Sequence, residues 1–157
     1  MSPFLPLEKF NEIRKLVPMI TVNGILRNLS GNVLVLKRNN EPFLGEYWVP
    51  GGYLMHGESI SNCLKREIKE ETNLDVKGYV LSSIVSTHTK TAHVIEFNFL
   101  VYDFDGDFKI NSEHSDVKWI SSDEKDMHPG LKIVLEGVNI IDISASNLQI
   151  KYYEEKT

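Results

Sequence analysis

The chain has 157 residues, 41% of them hydrophobic and 25% charged, which suits one packed domain over 1–157 and excludes a disordered chain. A formal net charge of −5 argues against a nucleic-acid-binding or membrane-surface protein, since both want a basic excess. The single Cys63 excludes a disulfide framework or a multi-cysteine zinc site, and the lack of a long apolar run or signal peptide leaves a cytoplasmic protein as the expectation.

Leu7, Phe10, Ile13 and Leu16 recur at near-helical spacing. They predict a short amphipathic helix that Pro18 ends. Two β-branched apolar runs follow, Met19–Arg27 and Asn32–Lys37, separated by Asn28-Leu29-Ser30-Gly31-Asn32. This turn chemistry predicts a β-hairpin. Residues Arg38–Gly57 carry Pro42, Gly45, Pro50, Gly51, Gly52 and Gly57. They read as a long structured loop of the kind that is often functional, with a short strand at Tyr47–Val49.

From Ser59 to Thr72 there is no Gly or Pro, and Ile60, Cys63, Leu64 and Ile68 share one helical face. Ser59 can cap the start of this helix, and Asn73 can take the left-handed conformation that ends it. Strands are predicted at Tyr79–Ser86, His93–Phe104 and Asp116–Ile120, and Pro129 opens a helix over Gly130–Leu135. The segment Ile140–Tyr153 reads as neither. The order predicts a mixed α/β domain with helices packed on both sides of a sheet.

The chemistry lies in Gly52-x5-Glu58-x7-Arg66-Glu67-Ile68-x-Glu70-Glu71-x-Asn73-Leu74. Glu67, Glu70 and Glu71 project from one side of a helix, where like charges repel. Arg66 lies four residues before Glu70 and can offset one of them. The others suit a hard divalent cation, Mg²⁺ or Mn²⁺, which prefers oxygen ligands. Gly51 and Gly52 let backbone approach a metal or phosphate closely. An acidic, solvated helix face would account for Lys69-Glu70-Glu71 alone. The whole pattern would arise by chance less than about once in a million starting positions.

This segment resembles the Nudix box, Gly-x5-Glu-x7-Arg-Glu-U-x-Glu-Glu-x-Gly-U with U a bulky aliphatic residue, over 52–74. The flanks Leu34-Val35-Leu36-Lys37-Arg38, Trp48-Val49-Pro50-Gly51 and Trp119-Ile120 are similar to the family as well. Asn73 stands where the family usually has glycine; it tolerates a positive φ, so the helix end is expected to survive. The resemblance implies an α/β/α sandwich with a mixed sheet. It also implies hydrolysis of a nucleoside diphosphate linked to another moiety, with Mg²⁺ or Mn²⁺.

Carried over by position, Glu67, Glu70 and Glu71 would bind the metal with the Gly51 carbonyl, and one of them would activate water, with Glu67 preferred. Arg66 would orient the carboxylates. Glu58 and Gly52 would support the loop–helix junction, Glu58 through Arg66. Family members differ on where the base sits. The expected partner is a nucleotide-containing small molecule, and many relatives form homodimers.

The N-terminal half is similar to the GDP-mannose mannosyl hydrolase subfamily, notably in Lys37-Arg38-Asn39-Asn40-Glu41-Pro42 and Gly45–Gly52. That makes Arg38 a candidate for the substrate diphosphate and His128 a candidate catalytic histidine. The subfamily has an altered box and attacks the sugar carbon. This chain keeps Glu70 and Glu71 together, as ordinary pyrophosphohydrolases do, so both bonds stay open. ADP-ribose pyrophosphatases tend to carry a proline about fifteen residues past the box, which Ser86–Lys90 lacks. A nucleoside triphosphate pyrophosphohydrolase remains an alternative.

Among His56, His88, His93, His114 and His128, each alone is more often structural than catalytic. Glu113 lies where some family members place an extra carboxylate. Cys63 reads as core, and so does Trp48. A non-catalytic nucleotide-binding module would have no reason to retain three glutamates. A diphosphate isomerase on the same fold would need cysteine chemistry outside the box.

Overall fold

The computed structural model describes residues 6–90, 92–136, 138 and 149–154. Its elements are α1 (Leu7–Leu16), β1 (Met19–Leu26), β2 (Val33–Arg38), β3 (Tyr47–Trp48), β4 (Gly51–Tyr53), α2 (Ile60–Thr72), β5 (Asp75–His88), β6 (His93–Asp105), β7 (His114–Ile120), α3 (Pro129–Leu135) and β8 (Gln149–Glu154). A five-stranded sheet runs β4-β1-β6-β5-β8 and a three-stranded sheet runs β3-β2-β7. Within the larger sheet β1 is parallel to β6 and β8 is parallel to β5, while the β1–β4 and β5–β6 pairs are antiparallel. The predicted tail Ile140–Tyr153 is described only over β8; the rest of it lies outside the described residues.

The predicted hairpin is corrected. The 28–32 turn forms as read: Asn28 Oδ1 accepts from the Ser30 and Asn32 amides, and Gly31 has φ +84°. Beyond the single Arg27–Val33 bridge, however, the two strands enter different sheets. Both edges of β1 are already taken, by β4 and by β6. β2 has apolar residues on both faces, so it serves best as the centre of its own sheet.

Alternation along these strands feeds two cores. Val22 and Leu26 of β1 and Leu34 and Leu36 of β2 pack with Cys63, Leu64 and Ile68 of α2. Ile25, Val33 and Val35 pack with Trp48, Leu100, Leu131 and Leu135, under α3. The box helix approaches β1 closely: a Cβ on Gly24 would lie 2.4 Å from Ile68 Cδ1.

α2 is capped as its sequence predicts. Ser59 Oγ accepts from the Asn62 amide at 3.1 Å, and Asn73 is left-handed at φ +61° with its N–H on Lys69 O. The apolar stripe expected on α1 is corrected. Phe10 is buried, edge-on to Tyr53 at 5.2 Å, but Leu7 and Leu16 are 73% and 81% exposed. α1 touches the domain through its middle, so the outer members of the stripe gain no cover.

Candidate active site

The box loop and α2 converge at β4. Gly24 N–H donates to Pro50 O and Leu54 N–H to Ile20 O, which puts the β1–β4 bonds at even-numbered residues. Gly51, opposite Asn23, is therefore in a non-bonded pair, and its N–H and C=O turn away from β1. The N–H donates to Glu71 Oε2 at 2.9 Å. A Cβ on Gly51 would stand 2.4 Å from Asn23 Oδ1, and one on Gly52 would stand 2.5 Å from the Glu67 carboxylate carbon and Oε1. At Gly51 backbone atoms of Val22 and Asn23 also exclude a side chain, whereas one at Gly52 would displace the Glu67 carboxylate.

Arg66 connects the loop to the helix. Its Nε and Nη2 donate to the two Glu58 oxygens, each at 2.8 Å. Nη2 also donates to Tyr53 O at 3.2 Å. Nη1 reaches Glu67 Oε1 at 2.5 Å and Glu70 Oε2 at 3.7 Å. The i,i+4 partner suggested by spacing is thus the weakest of the three carboxylate contacts, and the bidentate one goes to Glu58. Glu58 also accepts from the Met55 amide. Its hydrogen bond with Arg66, more than any other influence, holds its carboxyl below the usual range.

Glu67 is 7% exposed and Glu71 5%. Burial pushes the Glu67 carboxyl up against the opposing pull of Arg66. Burial likewise pushes Glu71 up to about 8; the Gly51 N–H and Arg38 pull it down, while Glu67 and Glu113 raise it. Glu70 is more accessible, with its side chain 30% exposed. Two of the three carboxylates thus lack full compensation from protein charge, because Arg66 is committed chiefly to Glu58. Among the described residues no three acidic, histidine or cysteine side chains converge as a ready-made cation cage. The donor set of carboxylates and an outward-facing carbonyl nevertheless has the chemistry of a hard divalent cation site.

His114 of β7 stands at the same place, and no sequence pattern pointed to it over the other histidines. The β2–β7 register pairs it with Arg38, and its Nε2 lies 3.8 Å from Glu71 Oε1. Asn111 Oδ1 already accepts the Glu113 amide, so the 3.1 Å contact to His114 Nδ1 makes that nitrogen the donor and leaves Nε2 bare. Burial, reinforced by Arg38, pushes the imidazole down to about 4, so it is neutral near pH 7.

Arg38 closes this side of the site electrostatically. Its Nε donates to Pro42 O at 2.7 Å. The intervening loop is anchored by Phe43, stacked on Trp48 at 4.6 Å. His128 packs on the same two rings, at 4.7 Å from Phe43 and 5.5 Å from Trp48. It caps α3, accepting from the Gly130 amide through Nδ1. Its described contacts are with this aromatic cluster, not with the glutamates. Trp48 is buried, while Tyr47 bonds Asp116 under Lys118. Cys63 is buried and its thiol is pushed up to about 12, which makes it inert.

Comparison with known proteins places this arrangement. A model of the NUDIX domain matches residues 17–136. The chain is 32% identical over 104 residues to an ADP-ribose pyrophosphatase of Methanocaldococcus jannaschii, covering 65% of this chain and 61% of that one. The chain thus spans less than two thirds of that relative. It is 27% identical over 145 residues to the low-salt glycan biosynthesis protein Agl8 of Haloferax volcanii, covering 86% and 91%. A MutT Nudix hydrolase structure from Burkholderia pseudomallei superposes with TM-score 0.71 at 23% identity, over 78% of this chain and 98% of that one, a likeness of fold. With the box glutamates on one helix and the match spanning most of the sequence, the chain belongs to the Nudix hydrolase family.

Proposed function

We propose that the chain is a divalent-cation-dependent hydrolase of a nucleoside diphosphate linked to a second moiety, a nucleotide-sugar such as GDP-mannose being the favoured class. One observation carries the proposal. Glu67 and Glu71 are buried with half-buried Glu70 on one helix, and the guanidinium beside Glu67, that of Arg66, is engaged bidentately by Glu58. Such an excess of oxygen donors invites a cation together with substrate phosphate.

Glu67, Glu70, Glu71 and the Gly51 carbonyl would hold Mg²⁺ or Mn²⁺. Bound there, such a cation supplies charge neutralisation for the diphosphate and a lowered pKa for water. Arg66 keeps Glu67 in place, and Glu67 is the preferred group to take the proton of the attacking water. Arg38, paired with His114 in the β2–β7 register, would meet a phosphate with its fork of donors. His128 is the reserve base should attack fall on the sugar carbon.

Similarity to Agl8 across most of both chains favours a glycan-related nucleotide substrate. Similarity to an ADP-ribose pyrophosphatase adds ADP-ribose to the panel despite the missing proline. An 8-oxo-dGTP diphosphatase of Proteus vulgaris, 30% identical over 79 residues, adds a nucleoside triphosphate. Glu70→Gln should cut turnover by about 100-fold or more, with a melting temperature close to wild type. Full activity in that variant would refute the ligand assignment.

The cleaved bond is read with Mg²⁺ in water enriched in oxygen-18. GMP and mannose 1-phosphate, with label on phosphate, mean P–O attack. GDP and labelled mannose mean attack at carbon and would bring His128 forward. No turnover of any compound in the panel would refute the proposal.

A further inference from the structure

A cleft of about 530 Å³ lies between the C-terminal end of α1 and the turn from β5 to β6. Its lining brings together Arg14, Lys15, His88, Lys90 and His93. That is a dense basic set on a chain whose formal net charge is −5. Arg14 and Lys15 of α1 precede the stretch 17–136 that matches the NUDIX domain, while His88, Lys90 and His93 lie within it.

The helix dipole gives part of the explanation: basic residues in a last turn, as Arg14 and Lys15 are here, offset the negative end of α1. It leaves two features unexplained. Arg14 Nε is buried without an acceptor among the described residues. A donor left so in a native fold calls for a partner. Lys90 and the two imidazoles come from a separate element more than seventy residues along the chain, yet they face the same space.

The cleft also adjoins the active-site mouth through Tyr53. Burial raises the pKa of its hydroxyl, and Arg14 and Arg38 oppose that rise. Tyr53 is two residues past Gly51 and packs on Phe10 of α1. β1 begins at Met19, beside the cleft's Pro18. Asn23, which faces Gly51, is four residues further on, roughly 13 Å at strand rise. A diphosphate carrying a hexose bridges such a spacing.

We propose that this cleft receives an anionic group, a phosphate or carboxylate, on the part of the substrate distal to the bond that is cut. The favoured substrate is then a nucleoside diphosphate joined to an acidic or phosphorylated sugar. Arg14 supplies the buried N–H, and Lys15 and Lys90 supply charge at the rim. This rests on the hydrolase reading above, and its test separates the two.

Inorganic phosphate is titrated into the metal-free protein at low ionic strength while the ring protons of His88 and His93 are followed by NMR. Saturable shifts are expected. Arg14→Ala, and independently Lys90→Ala at an exposed position, should each weaken binding by about tenfold, the loss of one charge-assisted contact. In turnover, the KM for GDP-mannuronate divided by that for GDP-mannose should rise about tenfold in either variant by the same reasoning. Ring signals indifferent to phosphate, or a KM ratio unmoved in both variants, would overturn the assignment. If phosphate binds and the variants weaken it but no nucleotide is hydrolysed, the cleft stands as an anion site and the hydrolase reading falls.

Discussion

Gly52 approaches the Glu67 carboxylate closely, and Gly52→Ala tests that contact directly. An added Cβ would lie 2.5 Å from the Glu67 carboxylate carbon, against about 3.4 Å for ordinary contact, a shortfall of roughly 0.9 Å. Gly52 itself does not have a positive φ, so alanine brings no backbone strain there. The carboxylate must therefore move, and Arg66 Nη1, 2.5 Å from its Oε1, restrains where it goes.

Metal sites tolerate ligand displacements of about 0.2 Å, and misplacing a reacting group by about 1 Å can cost about 100-fold in rate. The expected result is a fall in kcat of about 100-fold with a loss of stability near 1 kcal/mol, since a side-chain end can shift more cheaply than backbone. Steady-state kinetics with Mg²⁺ and urea unfolding read the two effects separately. Wild-type kcat in a folded Gly52→Ala protein would refute the placement of Glu67 in the metal site. Equal, severe losses of both activity and stability would show that Gly52 is a folding residue only.

Two further expectations concern the scaffold. Gly24→Ala places a methyl 2.4 Å from Ile68 Cδ1 and should cost about 1–3 kcal/mol by overpacking; adding Ile68→Val removes that very atom and should recover part of the loss in urea melts. Glu58→Gln should cost about 1.5–3 kcal/mol at pH 7 by weakening charge-assisted bonds to Arg66. Because Arg66 lowers the Glu58 pKa, its contribution is present in full above the unfolded carboxyl range and is lost as pH falls through the lower native value. The wild-type advantage should therefore shrink in melts taken from pH 7 to pH 3; an advantage constant with pH would refute the ionic account.

What could be read in advance was local. α2 announced itself through Ser59, an uninterrupted apolar face and Asn73, because capping and periodicity act within a few residues. The β1–β2 hairpin misled because its turn is genuine, while the choice of partners was made by β6, which pairs Asn23 with Asn98. Leu7 and Leu16 have helical spacing, but spacing cannot say how far a neighbouring surface extends. The glutamates were visible as a pattern on one helix. His114 was not, because its approach to Glu71 is set by the register of β2 against β7. Arg66 likewise had a nearby partner by spacing in Glu70, but the loop brings Glu58 into better bidentate geometry.

That same register gives the site an electrostatic tension that a single substitution exposes. In the metal-free protein Glu71 is pushed up to about 8 by burial, and His114, pushed down to about 4, offers no positive charge near neutrality. The unfolded glutamate titrates near 4.3. Between those two values the native chain keeps a proton that the unfolded chain has released, so stability falls as pH rises across this window. Glu71→Gln removes the titration while keeping an oxygen for the Gly51 N–H. With chelator present, the variant should therefore melt above wild type at pH 8, and the gap should close towards pH 4. With Mg²⁺ the order should reverse, because wild type gains stability from a ligand bound only by the native state and the variant has lost a donor for it. A Glu71→Gln protein less stable than wild type at pH 8 in chelator would mean that the buried group is held as the carboxylate by Gly51 and Arg38. A variant that gains as much from Mg²⁺ as wild type would mean that Glu71 is not a ligand.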